Sequence, residues 1–165
     1  MLEPASHRRI LVPLDGSELA ECALPHVRDL VRPGQTHVYL LSVLVLGLGE
    51  RTVTLMTSYP PGLHLSTTAL SHAQLQFESY LRGVAAHLRE RGALVHQAVR
   101  EGSPAEEILN YALEVQADLL VMSAHGFSGI SRWVHGSVVD RVLRAAPCPV
   151  LLVRAPVEKE GKSKA

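Results

Sequence analysis

The stretch "ADLLVMSAHGFSGISRWVHGS" (residues 117–137) decides the predicted fold. Its first half contains the continuous apolar run "LLVM", which is typical of a strand covered on both faces of a sheet. A glycine-rich loop follows, and Gly136 with Ser137 then opens a helical pattern. This order of strand, loop and helix is the repeating unit of a parallel α/β sheet.

Four further apolar runs extend the same pattern in both directions along the chain. Helical patterns separate these runs, so the sequence predicts a five-stranded parallel sheet with helices on both faces, in the usual strand order 3-2-1-4-5. The third run is more mixed in polarity than the others, which favours a position at an edge. The five predicted strands are residues 9–14, 37–44, 93–100, 118–124 and 149–154.

Capping and stop signals bound the first two helices. Ser17 is suited to cap the first helix, and Pro25 inside that helix is expected to kink it. The second helix is predicted over roughly 69–91, with Gly92 as its C-terminal stop. The expected buried faces are Leu19, Ala23, Val27 and Leu30 in the first helix, and Leu81, Val84, Ala85 and Leu88 in the second.

The third helix has the clearest start signal. Ser103 is the expected N-cap, Pro104 takes the first helical position, and Glu106 completes a capping box. The fourth helix is expected to begin near Ser137 and to stop before "APCP". The expected buried residues are Ala105, Ile108, Leu109 and Ala112 in the third helix, and Val138, Val142 and Ala145 in the fourth.

Three segments lie outside this pattern. Residues 1–7 and the charged tail 155–165 are expected to be flexible ends of a single domain over 8–154. Residues 45–68 form a connection long enough to suggest a role over a site or against a partner. With 47% apolar and 19% charged residues among 165, the chain is expected to form one packed core.

The charge balance and the two cysteines narrow the function classes. Sixteen basic and 16 acidic residues cancel, which argues against a nucleic-acid or acidic-membrane surface. Cys22 and Cys148 fit neither a zinc motif nor a disulfide scaffold and are expected to be reduced, mostly buried thiols. The N-terminus lacks a signal-like apolar segment, so a cytoplasmic protein is predicted.

Two polar loops are expected to meet where the strand order reverses. In open α/β sheets, ligands bind beyond the carboxyl ends of the strands at that point. Asp15-Gly16-Ser17 follows the first strand, and residues 123–129 follow the fourth. One interpretation is an anion site made of glycine N–H groups and the N-terminus of the last helix. The other is that the glycines only make the turn and Ser137 only caps the helix.

Other chemistries find little support. The chain contains no G-x-x-x-x-G-K-[ST] and no G-x-G-x-x-G after the first strand. His125 and His135 are ten residues apart with no third ligand at zinc spacing, so no metal site is predicted. A hydrolase triad of Ser123, His125 and Asp15 is a distant alternative, because no G-x-S-x-G elbow is present.

The residues from 8 to 154 resemble the universal stress protein family, a branch of adenine-nucleotide-binding α/β proteins. The likeness rests on "ILVPLDGSELAECAL", "GSPAEEIL", "ADLLVMSAHG" and "GSVVDRVLRAAPCPVLLVR", in this order. The nucleotide-binding branch carries G-x2-G-x9-G-[ST], and Gly126, Gly136 and Ser137 match its second half. Ser123 stands at the first glycine position, where a Cβ and a hydroxyl replace the glycine hydrogen.

This resemblance implies a binding site for ATP with Mg²⁺ carried on its phosphates, and it implies a homodimer. The implied dimer contact is the last strand, residues 149–154. The sequence itself offers no obvious general base and no phosphoryl-transfer lysine, so at most slow ATP hydrolysis is expected. The implied nucleotide contacts are Pro13, Leu14, Asp15 and Val43 for the base and ribose, and Met122, Ser123, His125, Gly126, Phe127, Gly136, Ser137 and Val138 for the phosphates.

Two functions therefore compete. The first is a homodimeric, ATP-binding universal stress protein that acts in a stress response. The second is a nucleotide-free dimeric interaction module on the same fold, with residues 45–68 as the partner surface. Ser123, at a motif glycine position, leaves the nucleotide-free module as an alternative, although serine is small and its hydroxyl can hydrogen-bond a phosphate.

Overall fold

The computed structural model of the protein describes residues 9–46, 53–54, 67–124 and 137–154. The strands are β1 (Arg9–Pro13), β2 (His37–Leu46), β3 (Val53–Thr54), β4 (Leu94–Glu101), β5 (Leu119–Ser123) and β6 (Val150–Val153). The helices are α1 (Glu18–Glu21), α2 (Leu24–Leu30), α3 (Thr67–Glu90), α4 (Pro104–Glu114) and α5 (Ser137–Ala145).

The five predicted strands form one parallel sheet in the order β4-β2-β1-β5-β6. In terms of the five apolar runs this is the order 3-2-1-4-5, so the predicted fold class is confirmed. The mixed run, β4, pairs only with β2 among the described strands, as its polarity suggested.

The connection after β2 differs from its prediction at both ends. Val45 and Leu46 still belong to β2 and pair antiparallel with the two-residue strand β3. Helix α3 already begins at Thr67. The second strand, predicted to end at residue 44, continues to Leu46, so Val43 lies three residues before its end. The extra pairing with β3 accounts for the longer strand.

Alternating side chains of the central strands build a core on each face of the sheet. Ile10 and Val12 of β1 pack on one face against α1, α2 and α3, while Leu11 packs on the other against α4 and α5. The side-chain period of two in a strand produces this division. These three side chains are completely buried, which explains why positions 10–12 of β1 are all apolar.

Pro25 separates two helices where one kinked helix was expected. Helix α1 ends at Glu21, and a short turn precedes α2, whose first turn contains Pro25. The first N–H groups of a helix have no intrahelical acceptor, so proline is tolerated there. The prediction of one kinked helix is therefore wrong, because the structure has two helices there.

The expected capping box of α4 is also wrong. Ser103 does occupy the N-cap position, but its side chain makes no capping hydrogen bond. Glu106 instead accepts a hydrogen bond from Arg141 of α5 at 2.7 Å. Since both side chains are more than half exposed, this ion pair joins the two helices at the surface and contributes little free energy.

The buried faces of α4 and α5 need two corrections. In α4, Leu109 is only half-buried, whereas Tyr111 is buried in the core beneath the helix. In α5, Ala145 is exposed and Val139 is buried, because α5 turns Val139 and Val142 toward the sheet. The remaining predicted core residues of these helices are buried or half-buried as expected.

Hydrogen bonds tie together the turns at the amino ends of the strands, which we call the amino edge. The N–H of Gly34, before β2, donates to the carbonyl of Gly92, before β4, at 2.9 Å. The N–H of Arg9 donates to the carboxylate of Asp118 at 3.2 and 3.3 Å, and the N–H of Asp118 donates back to the carbonyl of Arg9 at 3.0 Å.

No helix in the described part of the chain combines the length and apolar character that a membrane span requires.

Candidate functional site

The peptide after β1 is held rigidly by β2. The N–H of Leu14 donates to the carbonyl of Leu41 at 2.8 Å. The carbonyl of Leu14 accepts from the hydroxyl of Ser42, also at 2.8 Å, and Ser42 is completely buried. Both polar groups of this residue are therefore satisfied inside the protein, which fixes the direction in which the chain leaves the sheet.

Asp15 organises the turn that follows. Its Oδ1 accepts hydrogen bonds from the N–H and the hydroxyl of Ser17, at 2.9 and 2.6 Å. Gly16, between them, has a φ of 81°, a left-handed conformation that favours glycine. The hydroxyl oxygen of Ser17 then accepts from the N–H of Ala20 at 3.1 Å, so the predicted N-cap is confirmed.

The Asp15 carboxylate keeps one oxygen for other partners. Its hydrogen bonds to described residues use Oδ1 alone, and the side chain is half-buried at the carboxyl edge of the sheet. A fixed carboxylate of this kind can accept hydrogen bonds from hydroxyl or amino groups of a ligand.

The end of β5 lies beside this turn. β1 and β5 are parallel neighbours, with Leu11 opposite Leu120, so their carboxyl ends reach the same edge of the sheet. The N–H of Ala124 donates to the carbonyl of Val153 at 2.7 Å, which continues the pairing of β5 with β6 past Ser123. The ends of β1 and β5 therefore lie side by side where the strand order reverses, while residues 125–129 of the second polar segment lie outside the described residues.

Ser123 directs its side chain toward the α1 side of the sheet. It is only 8% exposed, and its hydroxyl lies 3.5 Å from the thiol of Cys22 at the end of α1. The Cβ and hydroxyl that distinguish serine from glycine here thus pack against a helix. Met122, on the opposite side of β5, packs in the core with α4 and α5.

The remaining candidates divide into two groups. Pro13 is paired with Leu41, while Val43 and Val138 are half-buried and pack against the core with α4 and α5. Ser137 is the first residue of α5, which agrees with the predicted start of that helix. The other candidates lie outside the described residues: His125, Gly126, Phe127 and Gly136.

The alternatives to a nucleotide site gain nothing from the geometry. The described residues contain no group of three or more potential metal ligands, while His125 and His135 fall outside them. The Ser123 hydroxyl of the hypothetical hydrolase triad contacts a thiol, and its proposed histidine partner is not described.

Three residues near the site were missed in the sequence. Ser42 lies inside an apolar run, and a single serine there does not indicate that its hydroxyl holds a neighbouring strand. The sequence marks Cys22 only as a thiol, whereas in the structure its thiol contacts the hydroxyl of Ser123. Tyr80, of α3, was not singled out. Burial first, then the charge of Glu21 and a hydrogen bond to its carboxylate, and last the charge of Asp15, raise the pKa of Tyr80 well above its ordinary value.

Comparisons with known proteins agree over nearly the full chain. The model of the universal stress protein family matches residues 6–154. Universal stress protein MJ0531 of Methanocaldococcus jannaschii is 30% identical, over 91% of this chain and 84% of its own. Universal stress protein YxiE of Bacillus subtilis is 30% identical, over 88% of this chain and 98% of its own.

Solved structures share the fold. Universal stress protein UspA from Lactobacillus plantarum superposes with a TM-score of 0.74 at 23% identity, covering 92% of this chain and 100% of its own. A universal stress protein in complex with cAMP gives 0.62 at 22% identity, over 90% and 97%. An Arabidopsis thaliana family member with AMP bound gives 0.62 at 16% identity, over 94% and 96%. The chain belongs to the universal stress protein family.

Proposed function

We propose that this chain is an ATP-binding universal stress protein that acts as a homodimer, with Mg²⁺ carried on the nucleotide phosphates. The observation that carries the proposal is the Asp15 turn, fixed beside the end of β5 at the point where the strand order reverses. This is the place where open α/β sheets bind ligands. The cAMP and AMP complexes of two family members add support for the adenine nucleotide class.

The assignment of the nucleotide contacts follows from the same place. Pro13, Leu14 and Asp15 leave β1 beside the site, and Asp15 has a carboxylate oxygen to accept from a ribose hydroxyl. Met122 and Ser123 end β5, and Gly126, Gly136 and Ser137 retain the family spacing for a phosphate loop. The N-terminus of α5 then adds free N–H groups that favour an anion. His125, Phe127 and Val138 complete the proposed phosphate side, and Val43 the base side.

Ser123 does not weigh against the nucleotide in this proposal. Its side chain packs toward Cys22 and α1, so the hydroxyl occupies space within the protein. The backbone of Ser123 remains a strand residue with the same course that a glycine could take. Hydrolysis is expected to be slow, because no lysine of a phosphate-binding loop motif is present in the sequence.

The nucleotide is tested directly. The purified protein is denatured slowly, its supernatant is examined for ATP or AMP, and Mg-ATP is then titrated by calorimetry. Gly136→Val is expected to abolish binding and to leave a folded dimer. Gly83→Ala, which adds a methyl group into open space on α3, is the matched control and is expected to bind normally. The absence of both released nucleotide and heat up to millimolar ATP would support the nucleotide-free module instead.

The dimer is assigned to the open edge of β6. This strand pairs only with β5 among the described strands, and Leu151 on it is 38% exposed. An apolar strand with an unpaired edge is commonly covered by a second copy. Leu151→Lys is expected to produce a monomer in light scattering, whereas Leu75→Lys on the exposed face of α3 keeps the dimer. A dimer that survives Leu151→Lys would contradict this interface.

A further inference from the structure

Two histidines lie side by side on the sheet face that also carries α4, near the amino edge. β2 and β4 are parallel, with His37 opposite Leu94 and Tyr39 opposite His96. His37 and His96 are therefore diagonal neighbours, and their side chains leave the sheet on the same face. His96 is exposed and His37 is half-buried, so solvent reaches both rings. The proposed nucleotide site lies at the other end of the strands and needs neither residue.

The distance between the two rings is that of two ligands on one metal ion. Nδ1 of His37 lies 3.0 Å from Nε2 of His96. Bonds from a metal to imidazole nitrogen are about 2.0–2.1 Å long, so two of them at a right angle hold their nitrogens about 2.9 Å apart. At the tetrahedral angle the separation would be about 3.3 Å. The observed distance therefore fits neighbouring positions of a square-planar or octahedral ion better than a tetrahedral one.

Aromatic packing holds the two rings in place. The ring of Tyr39 stacks on that of His96, with centroids 4.6 Å apart and planes at 14°, and lies 6.4 Å from that of His37. Tyr39 is itself held by an edge contact at 6.2 Å with Tyr111, which is buried. Only the soft torsion of each imidazole about its Cβ–Cγ bond has to adjust. Such preorganisation lowers the cost of binding.

The surroundings of the pair select the kind of metal. The described residues form no group of three potential metal ligands, so the protein supplies two nitrogens and no carboxylate here. The guanidinium of Arg89, which donates to the carbonyl of Val95 at 3.0 Å, lies beside the same strand. Mg²⁺ and Ca²⁺ depend on oxygen ligands and are disfavoured by these surroundings. Nitrogen ligands at a right angle are instead typical of Cu²⁺ and Ni²⁺, and Cu²⁺ binds such ligands more tightly.

We propose that His37 and His96 form a two-nitrogen binding site for Cu²⁺. Nδ1 of His37 and Nε2 of His96 bind the ion through their lone pairs. The protons of the two neutral rings then reside on Nε2 of His37 and Nδ1 of His96, and water molecules fill the other positions of the ion. The pair thus does more than join β2 to β4 by one hydrogen bond.

The site is tested by titrating Cu²⁺ into protein made without an affinity tag, in the presence of glycine, which competes for weakly held ions. Pulsed electron paramagnetic resonance, which counts imidazole ligands, is expected to find two. His37→Ala and His96→Ala should each leave one imidazole and weaken binding at least about tenfold, because even loss of a group that only supports a ligand costs that much. His72→Ala, at an exposed position of α3, is the matched control and should bind normally. A smaller loss in either variant of the pair would overturn the site.

A gain of affinity separates metal binding from a merely structural role of the pair. Leu94 lies opposite His37 and is 42% exposed, so Leu94→His places a third imidazole on the same face. This variant is expected to bind Cu²⁺ at least tenfold more tightly and to show three imidazole ligands. Leu113→His, at a position of α4 that is 63% exposed, is the control and should leave the affinity unchanged. Unchanged affinity in Leu94→His would contradict the proposal even if the alanine variants failed to fold.

Two comparisons test the geometry and the location. Zn²⁺ prefers a tetrahedral arrangement and is expected to bind at least tenfold more weakly than Cu²⁺. Zn²⁺ binding as tight as that of Cu²⁺ would overturn the right-angle assignment. Gly136→Val, which is designed to remove nucleotide binding, should bind Cu²⁺ like the unaltered protein. Loss of Cu²⁺ binding in that variant would show that the ion is held at the nucleotide loops and not by the pair.

Discussion

Replacing Gly92 by alanine should destabilise the protein far more than the same change at Gly34. Both glycines have a left-handed backbone, with φ of 84° and 70°, and they are joined by a hydrogen bond across the amino edge. They differ in the space around them. A Cβ at Gly34 would meet nothing within 4 Å, whereas one at Gly92 would lie 2.7 Å from Cβ and 2.9 Å from Cα of Pro33.

The expected loss of stability follows from the left-handed backbone of both glycines and from the contact of a new Cβ at Gly92 with Pro33. The left-handed conformation costs a residue with a side chain about 1–2 kcal/mol, and this cost applies to both variants. At Gly92 the new methyl group also overlaps backbone that belongs to a proline, which cannot move as a flexible side chain can. Overpacking of this kind adds about 1–3 kcal/mol. We therefore expect a loss of about 1–2 kcal/mol for Gly34→Ala and about 2–5 kcal/mol for Gly92→Ala.

Urea unfolding of both variants, followed by circular dichroism and by fluorescence of the single tryptophan, measures the difference. The slope of the transition should stay constant, so that the change in midpoint reports stability alone. In a protein of this size each 1 kcal/mol corresponds to about 2–4 °C in melting temperature. Equal losses in the two variants would show that the contact with Pro33 does not limit the turn, and would refute the reasoning.

Three further predictions concern other parts of the molecule. Ser123→Gly should change ATP affinity less than twofold, measured by calorimetry, because the side chain packs against Cys22; a large gain in affinity would contradict this. Burial, followed by the charges of His37 and Arg89, lowers the pKa of His96, so stability should fall as the pH drops below about 6.5. In His37→Ala, NMR titration should find the pKa of His96 closer to 6.5. Burial and then Asp118 raise the pKa of the Cys148 thiol, so its labelling by a maleimide at pH 8 should be slower than in the urea-unfolded chain.

The strands were predictable because strands that are buried on both faces of a sheet consist almost entirely of apolar residues. Strand β5 is buried at all five positions, and its first four residues, Leu119 to Met122, are all apolar. The third run, β4, is mixed because most of its side chains are half-buried or exposed, as an edge strand allows. Strand order followed from the usual topology of such sheets rather than from any single residue.

Local details were less predictable, because tertiary contacts overrode the local signals. Ser103 and Glu106 have the spacing of a capping box, yet Glu106 pairs with Arg141, which is 35 residues away in the sequence. The extension of β2 to Leu46 depends on β3, a partner that no periodicity marks. Pairing between residues that are far apart in the chain cannot be read from the pattern of a short stretch of sequence.

The candidate site was predictable where its residues form a turn or cap a helix. Ser17 is predicted as an N-cap, and Asp15-Gly16-Ser17 as a polar loop after the first strand; the hydrogen bonds of Asp15 and Ser17 agree with both predictions. The direction of the Ser123 side chain was not predictable, since it depends on which face of β5 meets α1. The nucleotide contacts, the domain limits of 8–154 and the cytoplasmic location stay predictions.

The hydrogen-bonded amino edge has a consequence for how this protein can change. Arg9 with Asp118, and Gly34 with Gly92, hold the turns at the end of the sheet opposite the proposed nucleotide loops. The strands are therefore anchored independently of the segments that follow their carboxyl ends. A loop at the carboxyl edge can therefore be replaced by the loop of a relative, and the replacement should change the stability of the protein only through the contacts that the loop itself makes. One scaffold can in this way acquire different ligands without redesign of its core.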